Sequence, residues 1–511
     1  MTNREMMEYD VVVVGAGPSG LSAAIKLKQL SKKANSELSV CVIEKGSEVG
    51  AHIVSGAVIE TKALDELIPE WKTKNSPLKT QATNDKFLYL TETKSYQLPT
   101  PPQMHNKGNY IISLSDFTKW LAQQAEELDV EIYPGFSASE VLYDKNNKVV
   151  GIATCDMGRL KDGSEGPNFE RGIELRAKQT VFSEGCRGHL GKTLMEKFEL
   201  NSNNSPQTYG IGIKELWEVT PENSKPGSIM HTTGWPLDNE TYGGSFLYHL
   251  DDNKVSIGFV IGLDYKNPYL SPYLEFQRFK HHPAIKKLLE GGRRINYGAR
   301  ALNEGGVQSL PKLTFPGGML VGCEAGFLNV PKIKGTHLAM KSGMIAAQSI
   351  FENIDKQDEI SDFQTDIKQS WLWNELYKVR NIRPSFKWGF WKAIVYSAID
   401  TYIFRGNAPW TIDHHGTDHE SLGNKDNYKE IKYPKPDNVI SFDRLTNVSF
   451  SGTNHEENQP CHLQLKDEDV PINTNFELYD NPETRYCPAG VYEIVFNSNK
   501  PKLQINAQNC V

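Results

Sequence analysis

Val11-Val12-Val13-Val14-Gly15-Ala16-Gly17-Pro18-Ser19-Gly20 is the stretch that decides the fold class. Four consecutive valines suit a parallel strand covered on both faces, and Leu21, Ala24, Ile25 and Leu27 continue behind the glycines at helical spacing. Gly15 permits the tight turn, Gly17 lets the backbone approach a pyrophosphate, and Gly20 lets the helix lie close to the strand with its N-terminus toward the phosphates. A second apolar run, Leu38 to Ile43, ends in Glu44, where an acid that holds ribose hydroxyls is expected. A glycine turn without a ligand is the plainer alternative to this nucleotide clamp.

The chain has 511 residues, enough for two or three domains and a large core, and no low-complexity block. A net charge of -7 with interspersed signs excludes a nucleic-acid footprint. The opening MTNREMMEYD carries neither an apolar signal region nor an Arg-rich presequence. The expectation is a protein that stays where it is made, or one whose targeting segment is absent from this chain. Seven scattered cysteines fit reduced thiols or metal ligands better than a disulfide framework.

Lys45 to Ala57 is a loop of small residues able to pass close to a cofactor, or an ordinary Gly/Ser loop. Residues 69–105 leave the alternating pattern. It resumes with a helix starting at Leu114, capped by Ser115 or Asp116, and a strand at Val130 to Tyr133. Residues 158–170 read as a polar loop, and Gln179 to Gly188 as a strand running into a second glycine turn. Alternation from Tyr209 to Phe259 predicts an inserted antiparallel sheet, followed by a helical region around Leu274 to Leu289. Gly317 to Gly326 repeats the strand-to-glycine pattern, and a small-residue helix follows Gly335-Thr336. Its N-terminus can stabilise negative charge, although a tightly packed structural helix fits equally.

Trp388 to Trp410 is unusually apolar. Trp391, Ile394, Val395, Ala398, Ile399, Tyr402 and Ile403 recur at helical spacing behind the basic lead-in Lys378, Arg380, Arg383 and Lys387. It is too short and too charged to span a bilayer; a helix lying in the headgroup plane and a buried core helix are the two readings. Cys461, Cys487 and Cys510 follow, without the CxxC pair usual for an iron–sulfur cluster.

The motifs VVVVGAGPSGLSAAIKL, EKGSEVGAHIVSGAV, SEGCRGHLGK, YGGSFLYHL, GLDYKNPYLSPYLEFQRFKHHP, YGARALNEGG, PGGMLVGCEAGFLNVPKIKGTHLAMKSG and RYCPAGVYE together resemble the electron transfer flavoprotein-ubiquinone oxidoreductase (electron-transferring-flavoprotein dehydrogenase) family along almost the whole chain. The resemblance implies an α/β fold, α+β overall. It comprises a Rossmann-like FAD domain of the glutathione-reductase type, an inserted antiparallel-sheet quinone domain and a C-terminal ferredoxin-like iron–sulfur domain. The implied division is FAD-binding at 1–70, 106–190 and 300–360, ubiquinone-binding at 71–105 and 191–299, and membrane-facing and iron–sulfur at 361–511. Electrons would pass from reduced electron transfer flavoprotein through a 4Fe-4S cluster and FAD to ubiquinone, with no acid-base catalytic residue. An FAD-dependent reductase of the geranylgeranyl-reductase-like group is the alternative.

Carried onto this sequence, the resemblance assigns Gly15, Gly17, Gly20 and Glu44 to the adenosine diphosphate half of FAD. Ser55, Gly56, Gly322, Cys323, Gly335 and Thr336 go to the flavin half. Cys323 stands where the wider flavoprotein superfamily often has Asp. Gly243 and Gly244 match the quinone-contacting stretch, and Phe390, Trp391, Ile394, Tyr402, Phe404 and Trp410 a membrane-facing one. The implied location is monotopic: the cytoplasmic face of a bacterial inner membrane, or the matrix face of the mitochondrial inner membrane if a presequence is missing. Cys487 and Cys510 match the first two cluster ligands. The family continues into CxxCxxC, so the chain is expected to be either a truncated form of a longer protein, the favoured reading, or a variant without a stable cluster, and Cys461 lies elsewhere in the pattern.

Overall fold

The valine run lies in a strand, Met6–Val14, paired in parallel on both sides, with Val11, Val12 and Val13 fully buried. The structure is a computed structural model that describes residues 4–53, 56–355, 358–414, 416–453 and 455–511. The strands that position the site are, in chain order, β1 (Met6–Val14), β2 (Val40–Glu44), β3 (Asn84–Leu90), β4 (Ser95–Leu98), β5 (Glu131–Pro134), β6 (Glu174–Phe182), β7 (Tyr209–Glu218), β8 (Ser228–Gly234), β9 (Gly243–His249), β10 (Lys254–Gly262), β11 (Arg293–Asn303) and β12 (Gly318–Leu320). The helices are α1 (Pro18–Lys33), α2 (Leu114–Glu126), α3 (Pro272–Lys280), α4 (Thr336–Asn353), α5 (Trp371–Lys378) and α6 (Phe390–Ala398).

The first sheet runs β12-β6-β1-β2-β5, all parallel, with Thr314–Phe315 antiparallel at the β12 edge. Antiparallel strands Val149–Thr154 and Ala138–Tyr143 also join it through β6. Its core gathers the β1 valines, Leu21, Ala24 and Ile25 of α1, Phe117 and Leu121 of α2, and Met340 and Ala347 of α4. α4 crosses α1 so closely that a Cβ on Gly343 would collide with the Ser19 carbonyl.

The second sheet runs β11-β7-β10-β9-β8-β3-β4 and is antiparallel except where β8 meets β3. β3 and β4 thus leave the first domain's part of the sequence to complete the edge of the second sheet.

Period-2 alternation gives β7 two chemically different sides. Ile213, Glu215 and Trp217 are buried, while Gly212 and Lys214 point the other way. On the Glu215 side, Lys280 of α3 donates to both carboxylate oxygens at 2.9 Å, with both side chains fully buried. The same carboxylate accepts from Trp217 Nε1 at 2.7 Å and from Asn447 Nδ2 at 2.9 Å. Asn447 also donates to Tyr273 Oη at 2.7 Å, whose hydroxyl reaches the Phe442 and Asp443 carbonyls. Tyr297 of β11 donates to the Pro488 carbonyl at 2.7 Å, beside Cys487. The C-terminal residues are therefore bolted to this face of the sheet.

Local expectations differ from the structure in two places. α2 is capped by Ser113, neither Ser115 nor Asp116. The backbone there is extended, and Ser113 Oγ accepts from the Asp116 N–H at 3.2 Å. Residues 158–170 are not a plain loop, because Met157–Arg159 and Glu165–Glu170 pair as a hairpin. Neither strand buries a face, so no hydrophobic alternation announces them.

Lys280→Met leaves the Glu215 charge buried without its cation, and destabilisation by about 3–5 kcal/mol is expected, read as a lowered urea midpoint.

Candidate active site

Three adjacent parallel strands, β12, β6 and β1, end in glycine turns at the same edge of the first sheet. Gly15 has φ +101° and donates to the Ile43 carbonyl at 2.9 Å. A Cβ there would lie 2.7 Å from the Ser183 carbonyl, so the left-handed turn needs glycine for conformation and for space. A Cβ on Gly20 would strike the Gly15 carbonyl, whereas Gly17 has nothing within 4 Å. Gly17 alone of the three faces open space, at the N-terminus of α1. Ser183 Oγ ties the β6 and β1 turns together through the Val14 and Gly15 carbonyls, both at 2.8 Å. Glu44 accepts from the Ala16 N–H at 3.1 Å and the Gly46 N–H at 2.8 Å, which holds its carboxylate at the mouth of the clamp.

Gly322 packs against Ser19 with no room for a Cβ, and its N–H donates to Ser342 Oγ of α4 at 2.8 Å. Cys323 follows, its thiol pushed up by burial and eased by the nearby Arg300 guanidinium. Gly335 and Thr336 open α4, whose N-terminus belongs to the same group of turns. Gly56, with φ +91°, presses on Ser256 of β10 and brings the 45–57 loop against the second sheet. Ser55 lies outside the described residues.

Directly paired residues in neighbouring strands share a face. One row is Gly298, Lys214, Gly258, Phe246, His231 and Phe87, and the next is Arg300, Gly212, Val260 and Gly244. This face meets the first domain, because Lys214 Nζ donates to the Gly56 carbonyl at 2.9 Å and Arg300 Nη1 to the His52 carbonyl at 3.0 Å. A Cβ on Gly244 would lie 2.6 Å from the Thr232 carbonyl, and Gly243 is crowded by Val260 and Leu237. His231 is buried, its Nε2 lying 3.1 Å from Tyr248 Oη, and burial pulls it down to about 3, so the imidazole is neutral. Lys214, Arg300 and His231 escaped sequence reasoning. The only signal was a lysine closing the Gly210 to Lys214 alternation, and its meaning depends on the register of strands far apart in the chain.

The aromatic segment abuts the Gly243–Gly244 stretch. The Tyr242 and Phe386 rings are 4.7 Å apart, and the Phe390 N–H donates to the Asn239 carbonyl at 2.9 Å. Tyr89 of β3 lies 5.9 Å from Phe390 and 5.4 Å from Trp391. α6 continues into a wider turn over Ile399–Phe404. Trp391 (55% exposed), Val395 (61%), Tyr402 (59%) and Ile403 (71%) make an outward stripe, with Trp410 also exposed. Phe390, Ile394 and Phe404 are half-buried. Asp400 is buried toward Asn381 and Arg380, while Lys392 is exposed. Among the described residues no helix is long and apolar enough to cross a membrane.

Cys487 and Cys510 share a small apolar cluster with Ala489 and Val491. Cys487 Sγ accepts from the Val491 N–H at 3.4 Å. Burial first, and then the neighbouring Cys487, raise the Cys510 thiol. Cys461 is exposed, with its Sγ–H directed at the Leu463 carbonyl. Away from these thiols, Glu60, His337 and Glu375 converge as cation ligands would, but Lys332 already bridges the two carboxylates. The adjoining cleft of about 920 Å³ is lined by charged residues including Lys62, Lys107, Lys378 and Arg405.

Residues 209–302 match the family described as ETF-QO, ubiquinone-binding, and residues 438–511 the family described as electron transfer flavoprotein-ubiquinone oxidoreductase, 4Fe-4S. Residues 2–68 match the Thi4 family. The chain is 54% identical over 522 residues to the mitochondrial electron transfer flavoprotein-ubiquinone oxidoreductase of Bos taurus, covering 99% of this chain and 84% of that protein. Its identity to the Dictyostelium discoideum protein of the same name is 55% over 508 residues, covering 96% and 84%. Among solved structures, a geranylgeranyl bacteriochlorophyll reductase-like protein from Thermoplasma acidophilum is 20% identical, with TM-score 0.57 over 78% of this chain and 97% of that one. A triple mutant of a flavin-dependent brominase is 17% identical, with TM-score 0.53 over 78% and 92%. At such identities these structures share the fold alone and do not favour an isoprenoid reductase. The near full-length identity to the named oxidoreductases decides the matter: the chain belongs to the electron transfer flavoprotein-ubiquinone oxidoreductase family.

Proposed function

We propose that this chain takes electrons from reduced electron transfer flavoprotein and delivers them to ubiquinone while resting on a lipid surface. The observation that carries the placement is continuity: one sheet face runs from the Gly56 loop, past Lys214, to Gly244, and the adjacent loop is seated against Phe386 and Phe390, which lead into the exposed stripe. When bound, FAD gathers electrons and releases them as a pair, and a 4Fe-4S cluster carries them one at a time.

The glycine turns fit FAD because the space at Gly17 and the N-termini of α1 and α4 open at one edge of the sheet. In this reading Gly15, Gly17 and Gly20 admit the pyrophosphate and Glu44 holds the ribose. Gly56, Gly322, Cys323, Gly335 and Thr336 surround the flavin end, with Ser55 assigned there by the family motif. The backbone at Gly243 and Gly244 binds a quinone carbonyl. Cys487 and Cys510 fit as two of the four thiolates a cubane cluster needs, since both reach one apolar pocket where a backbone N–H already points at sulfur. The stripe at Trp391, Val395, Tyr402 and Ile403, together with Phe390, Ile394, Phe404 and Trp410, rests in the headgroup plane, and Asp400 is hidden from it. The chain so placed is monotopic.

The direct test mixes the purified holoprotein with anaerobically reduced electron transfer flavoprotein and a soluble ubiquinone analogue. Catalytic quinol formation is expected, and its absence with a flavin-loaded protein would sink the proposal. Gly17→Ala should leave thermal stability unchanged yet weaken FAD retention by roughly tenfold or more, whereas Gly343→Ala should lower both, by about 1–3 kcal/mol in stability. Replacing Val395 and Ile403 with Asp should abolish co-sedimentation with lipid vesicles while the bound-flavin spectrum stays intact.

A further inference from the structure

Reduction of a quinone consumes two electrons and two protons, and a carbonyl oxygen turned inward from the outer mouth must take its proton from the site's own groups. Among the described residues, the face between the Gly56 loop and Gly244 offers few. Lys334, buried and within electrostatic reach of His231, is also lowered to about 8 by burial, but its Nζ is engaged with the Lys332 carbonyl at 3.1 Å. Gly258, Phe246, Gly212 and Val260 have no exchangeable proton on their side chains. Arg300, on the same face, is engaged with the His52 carbonyl at 3.0 Å. His231 is neutral and engaged with Tyr248, whose phenol is held high by burial. Asp85, farther along on β3, is taken up by the backbone and side-chain amides of Asn106.

Lys214 stands apart from all of these. It lies on the same face as Gly244, two strands across and one same-face step along, with Nζ fixed 2.9 Å from the Gly56 carbonyl and 5.6 Å from the Phe246 ring centre. The residue as a whole is half-buried, and its ammonium is enclosed by protein. The described groups that face it include Gly298 and Arg300 from β11, Gly258 and Ser256 from β10, Phe246 and Tyr248 from β9, His231 from β8, and the Gly56 carbonyl. None of these is an acid that would hold the ammonium charged. Burial pulls it down to about 8, close to the working range of a general acid.

We propose that the Lys214 ammonium is the proton donor to one carbonyl oxygen of the bound quinone. The proposal rests on the quinone lying at Gly243–Gly244. As the electron pair supplied by the proposed reaction arrives, an N–H bond of Lys214 breaks and an O–H bond forms on the quinone. The neutral amine regains its proton from solvent, and water at the outer mouth protonates the second oxygen. Two electrons and two protons then convert the quinone to the quinol.

The test is Lys214→Arg in the flavin-loaded protein, because arginine keeps the charge and cannot give up the proton. Because the ammonium is the active form, the wild-type rate should fall as pH rises through about 8. In the variant, single-turnover quinone reduction should slow by roughly a hundredfold, the low end of a positioned acid's contribution, and that pH limb should vanish. KM for the quinone analogue and the flavin reduction potential, read by spectroelectrochemistry, should hold. A wild-type rate with the pH limb intact would overturn the proposal. So would a potential that shifts in step with the rate, which assigns Lys214 to tuning the flavin instead. Gly244→Ala separates the two readings: a raised KM there with a silent Lys214→Arg defeats only the proton donor, and an unchanged KM defeats the quinone placement itself.

Discussion

The fully buried pair of Glu215 and Lys280 is the constraint on which the rest of the molecule depends. Two charges taken out of water are tolerated only when their remaining bonds are met, and here Trp217 and Asn447 complete the carboxylate's shell. Through Asn447 and Tyr273 the pair reaches residues 442 and 443, and a parallel tie from Tyr297 holds the Pro488 carbonyl beside Cys487. Electron transfer by tunnelling falls steeply with distance, so cofactors must keep their spacing while partners come and go. A polar bolt with fixed angles serves this better than a sliding apolar contact.

Next to Glu215 in the same strand stands Lys214, aimed at the opposite side. One β-strand therefore carries the fastening for the C-terminal residues on one face and the contact with the Gly56 loop on the other. The glycines divide in a similar way. Gly15 and Gly20 are demanded by backbone that would otherwise collide, whereas Gly17 between them is bordered by empty space. Identical residues in one motif thus answer to packing in some positions and leave open space in another.

The clamp was legible in the sequence because its causes are local: a buried apolar run, a turn that needs a positive φ, and a helix behind it. The second sheet was legible as alternation, but not its register, so the row that sets Lys214 on the same face as Gly244 could not be read. The aromatic segment left two readings open because hydropathy does not say which way a face points. The inward turn of Asp400 and the outward turn of Ile403 needed the fold. Short polar elements, such as the hairpin within residues 157–170, hide for the converse reason, since nothing apolar marks them. The Ser113 cap was missed by two residues because Ser113, Ser115 and Asp116 are all competent and backbone geometry chooses among them.

The parallel pairing of β8 with β3 has a consequence for how the chain is made. More than a hundred residues separate these strands, so the β3–β4 hairpin leaves the ribosome long before its neighbour exists and must wait with an open edge. In the meantime β1 is also waiting for β6. Neither unit can close on its own schedule, and a nascent chain threaded this way buries its edges only after both are synthesised. Such interleaving makes the newborn polypeptide a natural client for chaperones during the interval.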